Sequence, residues 1–180
     1  MALQAHFKLL ADYNQWINAK VYEAAAQLDE TELSRDRRAF FGSVLGTLNH
    51  IVVADTIWLQ RFAKHPRCRP LLQQAAELPA PERLDQIVFD DLAELARHRS
   101  WLDRQIIDWV QGLADDDLEL VLRYHNTKGV AASKRFSSLL LHLFTHQTHH
   151  RGQVTALLYQ AGVDVRVTDL LAVIPNESEV

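Results

Sequence analysis

The chain has 180 residues, 48% of them apolar and 23% charged, with a formal net charge of -4. That balance fits one globular domain, residues 1–180, long enough to bury its own core and short for two domains. An acidic chain without a clustered basic face has no electrostatic footprint for nucleic acid, and no run of about eighteen apolar residues exists to span a membrane.

Cys68 is the only cysteine, which excludes an internal disulfide and a cysteine-based zinc framework. The opening "MALQAHFKLLADYNQW" lacks a basic stretch followed by an apolar core and a small-residue cleavage site. No signal peptide is therefore expected, and the cytoplasm is the expected location.

In chain order, helical periodicity first covers about residues 2–28, followed by a short turn at "DETEL". A second helix is predicted to start after Ser43, a good N-cap residue, and to run to about Lys64. Prolines cluster in "HPRCRPLLQQAAELPAPERL", residues 65–84, which reads as a loop between helices. A third helix is predicted from about Leu84 to Val110, stopping at Gly112. Leu118, Leu120, Leu122 and Tyr124 then alternate with polar or exposed-type residues up to His125, and Asn126 to Gly129 reads as a turn, so one small β-hairpin is expected there. The fourth helix should open near Ser137 and end before Gly162, a residue favoured just past a helix C-terminus. The expected fold is all-α, a four-helix bundle with a small hairpin before its last helix.

The stretch "HLFTHQTHHRGQ", residues 142–153, holds four of the nine histidines. With His146 set at zero on the fourth helix, His150 falls at about +40°, within the apolar stripe of Leu139, Leu143, Val154 and Leu157. His142 and His149 fall off its edge, at about -40° and -60°. On the second helix His50 shares a face with Ala54 and Ile57. Three inward imidazoles from two helices would suit one divalent metal: zinc, nickel, iron or copper take neutral nitrogen ligands, and three ligands leave positions open for chemistry. The ordinary alternative is a set of hydrogen-bonded core histidines. Two other architectures are excluded. The zinc-protease pattern needs a glutamate after its first histidine, where Gln147 stands, and di-iron bundles need a histidine three residues after a glutamate, which occurs nowhere in the chain.

"SVLGTLNHIVVADTIWLQRF" and "LLHLFTHQTHHRGQVTALLYQAG" resemble the two signature stretches of the DinB family of metal-binding four-helix bundles. "YNQWINAKVYEAAAQLDETEL" and "VTDLLAVI" are similar to its first helix and closing segment, so the resemblance runs from about residue 8 to 174. It implies an up-down-down-up bundle and a metal held by three histidines, which map onto His50, His146 and His150. Zinc or nickel leads among the metals, with iron, copper and manganese open. The wider superfamily includes bacillithiol-dependent transferases and a mycothiol-dependent maleylpyruvate isomerase. The resemblance thus implies a metal-dependent transferase or hydrolase acting on a small molecule, with a low-molecular-weight thiol as a candidate cofactor. A non-catalytic metal- or small-ligand-binding stress-response protein is the alternative. Catalytic residues are not assignable from the sequence.

Around the triad, Trp58 is expected to pack in the core, with a place in the cavity wall as the other reading. Asn49 and Asp55 point elsewhere by rotation, and Gln153 lies one turn below His150, so support from Gln153, His142 or His149 stays open. Cys68 is expected to be a solvated, incidental thiol, and "ADDDLE" at 114–119 a helix start with a solvated acidic turn. From Ser137 to Gln160 the only Asp, Glu, Lys or Arg is Arg151, while Leu141, Phe144 and Tyr159 lie opposite the inward stripe. A homodimer with the fourth helix at its interface is expected.

Overall fold

The structure, a computed structural model, describes residues 3–176. Four long helices carry it: α1 (Leu3–Ala25), α3 (Val44–Phe62), α5 (Leu92–Gly112) and α7 (Phe136–Gln160). Between them lie the short helices α2 (Glu30–Ser34), α4 (Gln73–Ala76) and α6 (Asp115–Leu118), and strands β1 (Val121–His125) and β2 (Ala131–Arg135); a 3-10 turn, Leu170–Val173, follows α7.

Side-chain pairs fix the directions of the long helices. Phe62 meets Phe136 while His50 meets His150, so α3 and α7 are antiparallel. Phe7 stacks on Phe144 and Asn14 accepts from Arg151, so α1 and α7 are parallel. Asp55 pairs with Arg99 and Phe62 with Trp109, so α3 and α5 are parallel too. The order is up-down-down-up, as the resemblance implies, and the parallel α3–α5 step requires the long connection that the proline-rich segment supplies.

Local chemistry explains most boundaries. Ser43 caps α3 by accepting from the Gly46 N–H at 2.9 Å, as its residue type predicts. Gly162 follows α7 with a φ of +83°, left-handed backbone that glycine adopts without strain. The hairpin pairs Val121 with Arg135 through His125 with Ala131, and the Asn126 carboxamide closes its turn by accepting from the Lys128 and Val130 N–H groups.

Three expectations need correction. The third helix starts at Leu92, not near Leu84. Asn49 takes the Val88 and Phe89 N–H groups at 2.9 and 3.0 Å, which holds that segment as a loop, and Asp91 then caps α5. Cys68 is fully buried rather than solvated, because successive turns through residues 65–72 wind it and Leu72 inward. Burial pushes its thiol up to about 11, with Trp109 opposing the shift. In the acidic turn, Asp117 is buried: it accepts from the Ala114 N–H and from Arg67 at 2.6 Å, and the Arg67 bond leads in holding its carboxyl below the usual range.

Candidate metal centre

Because α3 and α7 are antiparallel neighbours, the face of α3 bearing His50 looks onto the face of α7 bearing His146 and His150. The structure brings the three rings together: one ring nitrogen from each lies within 4.8 Å of the others. His50 and His150 are buried and His146 is half-buried. His50 Nε2 is 3.2 Å from His150 Nε2 and 3.4 Å from His146 Nε2.

Hydrogen bonds on the far sides of the rings decide what these short distances mean. A carbonyl only accepts, so His50 Nδ1, 2.8 Å from the Leu84 carbonyl, carries the proton and donates it. His150 Nδ1 likewise donates to Gln153 Oε1 at 2.8 Å. In their neutral forms both rings then present unprotonated Nε2 atoms, and two lone pairs face each other at 3.2 Å. They repel unless a cation sits between them. Nitrogens held at about 2.0–2.1 Å by a tetrahedral ion lie about 3.3 Å apart, which is the spacing found here. The residues fit one mononuclear ion, and the cluster contains no Asp or Glu. Burial pushes His50 down to about 4 and His146, with its neighbouring rings adding, down to about 3; burial also lowers His150. Neutral rings, the form that ligates, are therefore the state at neutral pH.

The supporting groups come largely from outside the two helices. The Phe41 ring stacks on His50 with centroids 3.7 Å apart and also borders His150. Phe41 reaches this place because Gly46 leaves room: a Cβ there would stand 2.2 Å from the Phe41 carbonyl oxygen. Asn49, next to His50, holds the loop that offers the Leu84 carbonyl. Phe41 had no signal in the sequence, since it belongs to no periodic element, and Leu84, read as the start of the third helix, acts through its backbone carbonyl, which no side-chain pattern shows.

The other candidates fall into place. Gln153 orients His150 from outside the cluster. His142 is exposed, with its ring 5.7 Å from that of His146, and His149 is exposed beside His150 at 4.8 Å. Trp58 packs in the core on Phe62 and Tyr124, as expected, with its ring 5.1 Å from that of His142. Asp55 turns from the cluster to pair with Arg99, and Gln147 turns inward to accept from Arg151 at 3.1 Å.

Fold and site together define a class: an up-down-down-up helical bundle in which histidines of two antiparallel helices could hold one metal ion. The DinB family model matches residues 1–178, and the chain belongs to the DinB family. It is 27% identical over 163 residues to Protein DinB of Bacillus subtilis (strain 168), covering 91% of this chain and 90% of that one. Its fold is similar to the crystal structure of a DinB-like protein from Bacillus cereus ATCC 10987, with a TM-score of 0.59 at 22% identity over 84% of this chain and 89% of the other.

Proposed function

We propose that the protein is a metal-dependent enzyme acting on a small molecule, with one divalent transition metal held by His50, His146 and His150. The observation that carries this reading is the pair of unprotonated imidazole nitrogens facing each other at 3.2 Å. Zinc or nickel suits three neutral nitrogens best, with iron, copper or manganese as the other candidates. When bound, the metal supplies a Lewis acid that favours the thiolate form of a thiol or acidifies water.

The chain's own residues favour thiol-dependent transfer over hydrolysis. Hydrolysis of the zinc-protease type uses a glutamate as general base, and the cluster contains no carboxylate; Gln147, at the place that glutamate would take, is committed to Arg151. A thiol needs only to lose its own proton. Leu84 and Gln153 fix the rings, and Phe41 keeps water from one side of the cluster. The missing base also supports a second reading, a metal-binding protein without turnover.

Elemental analysis after metal reloading tests the first step: stoichiometric metal in the wild type and its loss in His50→Ala are expected. Metal-poor wild type, or full occupancy in His50→Ala, overturns the assignment. Metal-dependent turnover of an electrophile with a low-molecular-weight thiol, lost in His146→Ala, separates the enzyme from the binding-only reading.

We also propose a two-fold homodimer through α7. Phe144 is covered within the chain by Phe7, but the strip with Leu141, Thr145, His149, Gly152, Ala156 and Tyr159 is charge-free and exposed, Tyr159 to 75%. No helix of the described residues is long and apolar enough to cross a membrane, and the acidic net charge argues against a nucleic-acid partner. Sedimentation equilibrium should give twice the chain mass; 20.6 kDa independent of concentration refutes the dimer.

A further inference from the structure

A cavity of about 1110 Å3 opens between α3, the segment after α4 and the hairpin turn at Thr127; no histidine lines it, and Leu84 is the residue it shares with the surroundings of His50. Its floor is α3. Ile57, Gln60, Arg61 and Lys64 line it at the i, i+3, i+4, i+7 spacing of one helix face. The same face carries His50, about two turns before Ile57. Leu84, whose carbonyl accepts from His50 Nδ1, is part of the cavity wall, and Gln60 pins that wall by donating to the Leu78 carbonyl at 2.7 Å. On the other flank, His142 and Trp58 connect His146 to Arg61 by successive ring contacts. Cavity and cluster lie along one strip of the bundle.

The lining is locally basic in an acidic chain. Arg61, Lys64, Arg69 and Arg83 face Glu82 and Asp85, and Arg83 pairs with Asp85 at 2.7 Å, which leaves three cations and one carboxylate. Arg61 differs from the others. It is half-buried, its guanidinium lies 4.7 Å from the Trp58 ring centroid and 5.1 Å from that of Tyr124, and no ion pair among the described residues includes it. Aromatic faces hold a guanidinium in place without occupying its N–H fork, which matches a carboxylate or phosphate. Burial without a carboxylate partner also lowers its pKa. A cation kept half-desolvated and unpaired beside an open cavity is a poor contributor to stability and a good anchor for an anion.

We propose that the cavity binds the anionic end, a carboxylate or phosphate, of the small molecule that reaches the histidines, with Arg61 as the principal contact and Lys64 and Arg69 adding charge. The orientation of the molecule rests on the metal reading above; the anion site itself does not. Arg61 follows His50 by eleven residues, about 16 Å along the helix axis, so the ligand is elongated, with its reacting group and its charge at opposite ends.

Calorimetric titration of the metal-free protein with succinate, inorganic phosphate and neutral succinamide tests this. Either anion should bind, more weakly as salt rises, and succinamide should not. Preference for succinate marks a carboxylate ligand and preference for phosphate a phosphorylated one. Arg61→Gln should weaken the preferred anion about tenfold, and Arg61→Lys should restore part of that loss. Lys64→Glu, at an exposed position, should weaken it several-fold without changing thermal unfolding, which covers the case of a poorly folded Arg61→Gln. Undetectable binding of both anions, equal binding of succinamide, or unchanged affinity in both Arg61→Gln and Lys64→Glu overturns the proposal. His150→Ala, whose ring bonds to Gln153 and borders Phe41 and the other histidines but no residue of the cavity wall, should bind the anion like wild type while losing the metal, so a failed metal centre and a failed anion site give different results.

Discussion

Two polar regions are buried in this bundle, and they are built on opposite plans. The central one draws on all four long helices: Asn14 and Asn18 from α1, Asp55 from α3, Arg99 and Asp103 from α5, and Gln147 and Arg151 from α7, each at most 4% exposed. Arg99 bridges Asp55 and Asp103. Asn14 and Asn18 point their N–H groups at Asp103 and their oxygens at Arg151, so two amides relay between a carboxylate and a guanidinium. Two cations balance two anions: Arg99 is ion-paired with both carboxylates, and Arg151, in no ion pair of its own, reaches Asp103 through the two amides. The histidine cluster lies one residue away on α7, yet it turns acceptors toward one another. A buried region that matches its own charges serves the fold. One that faces lone pair to lone pair asks for something the chain does not supply.

The sharpest way to break this comparison is to remove one partner from each region. Asp55→Ala leaves Arg99 buried with half its counter-charge, and loss of one member of a buried pair costs about 3–5 kcal/mol. Urea unfolding of the metal-free protein should show that loss, while the fraction still folded binds metal at wild-type stoichiometry. His50→Ala should do the reverse. The metal-free protein should lose less than Asp55→Ala does, about 1–3 kcal/mol for the freed Leu84 carbonyl, but metal no longer raises the unfolding midpoint; in the wild type, metal at a hundredfold excess over its Kd should add about 2.7 kcal/mol. A His50→Ala protein that metal still stabilises as strongly would remove the distinction between the regions.

Acid separates them as well. The native pKa values of His50 and His146 lie near 4 and 3, below the roughly 6.5 of an unfolded histidine. Between those values the unfolded chain binds protons that the native chain refuses, so stability rises with pH there. The contribution is fully present above about pH 6.5 and is lost as pH falls toward 4 and then 3. In metal-free protein this loss should be visible in the unfolding midpoint between pH 7 and 4, and His50→Ala should flatten part of it. An identical pH profile in the variant would show that His50 is not held neutral by its surroundings.

How much of this was legible in the sequence follows the same division. The triad was legible because helical period alone turns His50, His146 and His150 onto apolar faces, and a cluster confined to two helices is written in that period. The hairpin turn was legible from Asn126 and Gly129. The central charge network was not: arginine and aspartate on a helix read as a solvated face, and only the crossing of four helices shows that Arg99 and Asp103 point inward. The start of α5 was misplaced because Asn49, distant in sequence, captures the backbone of residues 88–89. Cys68 was misread because a proline-rich composition says nothing about which way a wound loop turns its side chains. Phe41 and the Leu84 carbonyl lie on connections, where position depends on the path of the whole chain.

Gly46 offers a smaller perturbation that touches the cluster through packing alone. The Cβ of Gly46→Ala would meet the Phe41 carbonyl oxygen at 2.2 Å, and backbone on that side has to shift. Overpacking of this kind costs about 1–3 kcal/mol. Phe41 should leave its stack on His50, so metal affinity falls while all three ligands remain. Equal affinity, or a metal-free stability equal to wild type, would mean that the loop carries no part of the site.

The smallest expected change in stability comes from Gln153, and it asks whether the cluster's outer hydrogen bonds matter at all. Its Oε1 accepts from His150 Nδ1 at 2.8 Å, and its Nε2 lies 3.4 Å from His149 Nε2. The first contact fixes the His150 tautomer, and with it the bare nitrogen that faces His50. Gln153→Leu keeps an apolar side chain of similar bulk, one bond shorter, but offers no acceptor. His150 can then carry its proton on either nitrogen, and only one of the two forms ligates. Loss of such an outer partner typically lowers metal affinity 10- to 100-fold, and the lower figure, about tenfold, is expected here because His50 keeps its own carbonyl. The residue is only half-buried, so metal-free stability should stay within about 0.5 kcal/mol of wild type. Competition with a chromophoric chelator measures the first quantity and urea unfolding the second. An unchanged affinity would mean that His150 is oriented by its packing against Phe41 and not by Gln153.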